Sequence, residues 1–201
     1  MQIIKEEKLF NNMSTVRSWL FRILVIIAAG FMVYSWLQPW WRCEISRING
    51  WIVIHPWGLE HNMQAFSEYM KGAEMPGFFA PLMWIYLGLC ILALLVALFI
   101  KNKNIKLLGK EFNLPNFIIS LVGLSYIVVV IVAVIFAAIR TGDFYGTKLI
   151  GVTRINLGGE MVSDATANLQ TGYWLACAAG PLLVLLALLR NKIIGYKMVQ
   201  S

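Results

Sequence analysis

Four long apolar runs constrain this chain more than anything else in it, at roughly Trp19–Leu37, Phe79–Ile100, Phe117–Ile139 and Tyr173–Leu189. At ~1.5 Å of rise per residue, each is about long enough to cross a ~30 Å hydrocarbon core as a helix. Only helices and closed barrels satisfy their backbone inside lipid. Runs of this length predict four transmembrane helices. The chain has 201 residues, of which 59% are hydrophobic and 13% charged, which is a low charge content for a soluble domain of this size. One membrane domain over residues 1–201 is expected, with no separate soluble module.

The charges set an orientation. Lys5, Lys8, Arg17 and Arg22 precede or open the first run. Lys101, Lys103, Lys106 and Lys110 lie between the second and third, and Arg190, Lys192 and Lys197 follow the fourth. The intervening segments 38–78 and 140–172 hold six Lys/Arg and seven of the ten acids. By the positive-inside rule both termini and the 101–116 loop face the cytoplasm, and 38–78 and 140–172 face outward. The expected location is the cell membrane, multi-pass. The net charge of +7 is thereby spent flanking the runs, so nucleic acid is not an expected partner. The first run has no small-residue cleavage site after it, where Gln38-Pro39-Trp40-Trp41 stands, and reads as a retained signal anchor. Residues 1–12 read as a mobile tail.

Inside the runs the signals concern packing. Ala93/Ala97, Ala133/Ala137 and Ala176/Gly180 put small residues four apart on one face, where backbones can approach. Pro181 predicts a kink in the fourth helix. Asn113 before Pro115 reads as a helix cap. No charged residue lies deep in a run, and the polar residues there are mild: Tyr34, Tyr86, Ser120, Ser125 and Tyr126. Proton relays and haem ligation ordinarily need stronger groups.

The outer segments carry structure of their own. Asn49-Gly50 between β-branched residues predicts a tight β-hairpin over 44–55. Thr147–Ile155 predicts a further strand ended by Gly158-Gly159, and Glu60–Met70 a short amphipathic helix. The expected fold is therefore an all-α membrane protein. It would be an antiparallel four-helix bundle with a small extracytoplasmic cap of one hairpin and one short helix.

Chemistry-bearing groups are few. Cys43, His55, Glu60 and His61 are metal-ligand types, but their spacing matches no metal motif. Cys43 has no partner cysteine in the outer segments, so no internal disulfide is expected there, and Cys90 and Cys177 read as packing residues. No phosphate-binding glycine loop, catalytic triad, paired catalytic carboxylates or CxxC is present. No enzyme activity, metal or cofactor is assigned. Trp40, Trp41, Trp51 and Trp57, with His55 and His61, are the candidate interaction residues, since large aromatics anchor interfaces.

In layout the chain resembles the claudin-like four-span membrane proteins. The likeness consists of four spans, both ends inside, a larger first outer loop, Trp40-Trp41-Arg42-Cys43 after the first span, and strands in both outer loops. It departs from them in lacking their Gly-Leu-Trp element and second loop cysteine. The resemblance implies an outer β-sheet on a four-helix bundle and carries over no functional residue.

The functional expectation is a non-catalytic integral membrane subunit that stabilises a larger complex, with membrane lipids and other integral membrane proteins as partners. A quinone-linked or redox complex component using the outer Trp/His surface is the alternative. An oligomeric pore or small-solute transporter is the third reading.

Overall fold

The computed structural model describes residues 2–63, 75–100, 104–107, 110–156 and 161–194, with backbone alone for 2–15, 104–112 and 144–145. Four helices form the bundle: α1 (Gln2–Leu37), α2 (Phe79–Phe99), α3 (Leu114–Tyr145) and α4 (Thr171–Ile194). Their long apolar segments are Val16–Leu37, Phe79–Phe99, Leu114–Asp143 and Thr171–Ile194. Each matches one predicted run. The backbone of α1 is helical from Gln2, so the expected tail is part of the first helix.

Helical periodicity selects the core. Phe21, Val25, Ala28, Met32 and Trp36 recur three or four apart along α1, and meet Leu87, Cys90 and Leu94 of α2. Ile119, Val122, Tyr126 and Val130 of α3 and Ala176, Ala179, Leu183 and Leu186 of α4 complete the cluster. The opposite faces are also apolar: Ile23, Ile27, Phe31, Leu89, Leu92, Val128, Ile135 and Leu185 are all exposed. A helix that is apolar all round and still half uncovered suits lipid rather than water. The chain is a multi-pass membrane protein.

Helix α4 packs most extensively, against α1 and α3. Gly123 and Gly180 make the α3–α4 approach close. A β-carbon on Gly123 would lie 2.9 Å from the Gly180 carbonyl oxygen, and one on Gly180 would lie 2.7 Å from Ile127 Cγ1. Ala176 and Gly180, expected to share a packing face, are both buried. Pro181 lies within α4 on an exposed face.

The all-α expectation is corrected by a five-stranded antiparallel sheet. Its strands are β1 (Trp41–Ile45), β2 (Gly50–His55), β3 (Gly58–His61), β6 (Gly151–Asn156) and β7 (Val162–Leu169), in the order β3-β2-β1-β7-β6. The helical bundle stands as expected, but the cap holds a five-stranded sheet drawn from both connecting segments where a single hairpin was expected. The Asn49 signal marks a real reversal: Asn49 takes the left-handed conformation, at φ 48°. The reversal is wider than two residues, because a 3₁₀ turn over Ser46–Ile48 precedes it. Asn62 braces it, its Oδ1 accepting from the Trp51 N–H (2.6 Å) and its Nδ2 donating to the Asn49 carbonyl (3.0 Å). Glu60 and His61, expected to open a helix, lie in β3 paired with Val53 and Ile52. Residues 64–70 of that expected helix lie outside the described residues, as do Gly158 and Gly159. On the opposite side of the bundle a small hairpin of β4 (Asn104–Leu107) and β5 (Lys110–Asn113) joins α2 to α3.

Strand β7 joins the two halves of the sheet. It pairs with β1 from Trp41↔Leu169 to Ile45↔Ala165, and with β6 on its other side. Along β1 alternate residues are buried, and Trp41, Cys43 and Ile45 form a second core with Ile52, Ile54, Met63, Ala165 and Ala167. Further bonds tie the segments together. Trp41 Nε1 donates to the Leu149 carbonyl (2.7 Å), and the Arg47 N–H donates to Ser163 Oγ (3.1 Å).

Candidate functional site: the aromatic junction and the open sheet edge

Where α1 runs into β1, the chain builds a continuous aromatic band between the bundle and the sheet. Trp36, fully buried, meets Trp40 edge-on at 6.0 Å and lies 6.2 Å from both Tyr86 and Tyr126. Trp40 in turn meets Tyr173 at 6.1 Å, and Tyr173 meets Trp174 at 5.5 Å. A second stack runs from the sheet to α2: His55 lies on Trp57 at 4.8 Å, and Trp57 lies 6.2 Å from Trp84. Offset and edge-on rings at these separations attract one another beyond their area burial.

Polar atoms thread this band. Ser35 Oγ donates to the Met32 carbonyl at 2.9 Å and lies 2.8 Å from the Tyr126 hydroxyl. The Tyr86 hydroxyl lies 3.2 Å from Ser125 Oγ. Trp40 Nε1 donates to the Ser35 carbonyl at 2.9 Å. Three buried ring nitrogens have no hydrogen-bond partner among the described residues: Trp36 Nε1, His55 Nδ1 and Trp57 Nε1. Unpaired buried polar atoms are uncommon, and each calls for a water or a ligand atom.

Burial lowers the His55 pKa below its ordinary value of 6.5, with Glu60 and the Gln38 backbone opposing the shift less strongly. The Glu60 carboxylate is 3.8 Å from His55 Nε2 and half exposed, so it offsets the cost of burial only in part. His55 is therefore a neutral imidazole at pH 7. It can accept or donate a hydrogen bond beside a stacked ring, with Glu60 as its neighbouring carboxylate.

The candidate interaction residues fall in different places. Trp40 and Trp41 are buried in the chain's own two cores, so their rings hold the sheet to the bundle and close the sheet face. Trp51 and Trp57 are half-buried. His55 and Trp57 are brought together, whereas His61 turns its Nδ1 to the Met63 N–H at 3.2 Å. Among the described residues no group of three His, Cys, Asp or Glu side chains converges as metal ligands would. Cys43 is fully buried, and burial, aided by the neighbouring Glu44, pushes its thiol up to about 11. A thiol in that environment is chemically inert.

Residue-level reading of the sequence did not single out Ser35, nor the outer edge of the sheet. Strand β6 pairs with β7 along one side and carries no strand on the other among the described residues. Ile150, Val152, Met161 and Val162 are exposed there, at 53, 59, 48 and 45%. The signal available in the sequence was the apolar start of this strand, Leu149-Ile150-Gly151-Val152.

No protein-family model matches the chain, and no curated protein matches it.

Proposed function

We propose that this chain is a non-catalytic subunit of a larger membrane protein complex, holding a partner through the β6 edge of its sheet. In this reading the sheet stands on the outer side of the cell membrane, with both termini and the β4–β5 hairpin on the cytoplasmic side. The basic flanks support that orientation.

The β6 edge, which carries no strand on its outer side among the described residues, is the observation that carries the reading. Native sheets blunt their edges with prolines, bulges, inward charges or a covering element. Strand β6 contains no proline, and its one charged side chain, Arg154, points outward at 85% exposure. Its exposed apolar residues lie beside a row of backbone donors and acceptors, which suits the addition of a partner's strand.

The test is mild-detergent purification of the full chain from its native membrane, with mass spectrometry of the particle. A defined protein should co-purify with the wild type and be lost from the Val152→Lys variant. The chain must remain folded, as read by its intact membrane insertion. A wild-type particle containing this chain alone would overturn the proposal.

The stack of His55, Trp57 and Trp84, with its unpartnered ring nitrogens, favours a second reading, a redox complex component that seats a quinone-like ring. It expects His55→Ala to abolish quinone-linked activity while the particle stays assembled. Unchanged activity in that variant would exclude it.

A further inference from the structure

We propose that the cavity between Arg22 and Arg190, at the end of the bundle away from the sheet, binds a phosphate group supplied by the headgroup of an anionic membrane lipid. The cavity measures about 200 Å³ and lies among the first apolar turns of α1, the last turn of α2 and the end of α4. Ser18, Phe21 and Arg22 occupy one face of α1 by their spacing, and all three line it. Arg190 enters from α4 and is 8% exposed.

The local sequence holds Arg190 in place. Its Nη1 donates to Asn113 Oδ1 at 2.8 Å and to Asn116 Oδ1 at 2.9 Å, and its guanidinium carbon stands 5.6 Å from the Phe21 ring. Asn113, expected to cap α3, makes no side-chain cap bond and serves Arg190 instead. Asn116 is also 3.4 Å from Asn191 Oδ1 through its own Nδ2. The two amides fix the plane of the guanidinium, which is the condition for directed recognition of a tetrahedral anion.

Two like charges lining one small cavity repel each other, and an anion between them reverses the sign of that interaction. The end of α2 contributes carbonyls of partial negative charge, equivalent to roughly half a unit at most, and no carboxylate is among the described residues that line the cavity. The lipid source follows from the rim. Phe99 lines the cavity and is 77% exposed, and Leu20 and Ile23 beside Arg22 are exposed on the apolar flank of α1. A phosphate seated between the arginines would leave acyl chains running along that flank.

The experiment is native mass spectrometry of the detergent-purified full chain, titrated in turn with phosphatidylglycerol, phosphatidylcholine and inorganic phosphate. The wild type should retain one phosphatidylglycerol in preference to phosphatidylcholine by about fivefold, the factor expected for one cation at a membrane surface. Arg22→Gln, which leaves the Asn113 and Asn116 bonds untouched, should remove that preference, as should Arg190→Gln if it folds. Equal retention of the two lipids, or a preference unchanged in Arg22→Gln, would overturn the proposal. Displacement by millimolar phosphate without any lipid preference would overturn the lipid source and make the site one for the free anion.

Discussion

Cys43 and His55 lie on strands of one sheet, and burial moves each toward its neutral form. For Cys43 the consequence is chemical silence: with the thiol held near 11 and fully buried, maleimide should fail to label it at pH 8 in the folded protein. Labelling should become complete in denaturant. For His55 the consequence is a pH dependence. Its folded pKa lies below 6.5, so the unfolded chain takes up the proton first as pH falls. The contribution of neutral His55 is fully present above about pH 6.5 and is lost progressively as pH falls toward the folded pKa. Thermal melts should show that decline in the wild type and lose this component in His55→Gln. Ser35 and Tyr126 make a third case, a hydroxyl pair between α1 and α3 within the bundle. Ser35→Ala and Tyr126→Phe should each cost about 1 kcal/mol, with a coupling near 0.6 kcal/mol in a double-mutant cycle. Strict additivity would show that the 2.8 Å contact contributes nothing to stability.

At the level of elements, close approach is the controlling quantity. Gly172 sits at the entry to α4, where an added β-carbon would lie 2.6 Å from the Pro39 carbonyl oxygen and 2.8 Å from that of Gln38. This is the point where α4 passes the link between α1 and β1. Gly172→Ala should destabilise the protein by about 1–3 kcal/mol, read by denaturation in detergent, while Gly30→Ala, with open space around it, should be nearly neutral. The helices were legible in the sequence because twenty-odd apolar residues admit one solution in lipid. The first hairpin was legible through Asn49. Strand β7 was not, because its inward positions are Ser163, Ala165 and Ala167, with none of the β-branched residues that announce a strand. Small side chains are what the crowded centre of the sheet admits, and small side chains carry little strand signal. The candidate site was legible by half for a similar reason. Tryptophans beside a span look the same in sequence whether they face lipid, a partner or the chain's own core.

For the molecule as a whole, two cores meet along one seam. The Trp40 N–H donates to the Ile54 carbonyl and the Trp40 carbonyl accepts from the Gln170 N–H, both at 2.9 Å, just beyond the end of β1. The ring of the same residue belongs to the bundle core. The sheet and the bundle therefore share a residue and cannot slide past each other without breaking both. A chain ending at Lys148 would keep β1, β2 and β3 but lack β6, β7 and α4. Its Cys43 should then label with maleimide in the membrane without denaturant. Protection equal to the full chain's would show that the first three strands close on their own.

The pairing of β1 with β7 also sets a clock. Residues of the two strands are more than a hundred positions apart, and three helices must be threaded across the bilayer before the later strand can emerge beside the earlier one. During synthesis the first half of the sheet thus waits, with its inner side bare, until β7 has been made. Closure of the sheet is in effect a receipt for the insertion of those three helices, and that one face distinguishes a molecule whose later strands have arrived from one whose strands have not.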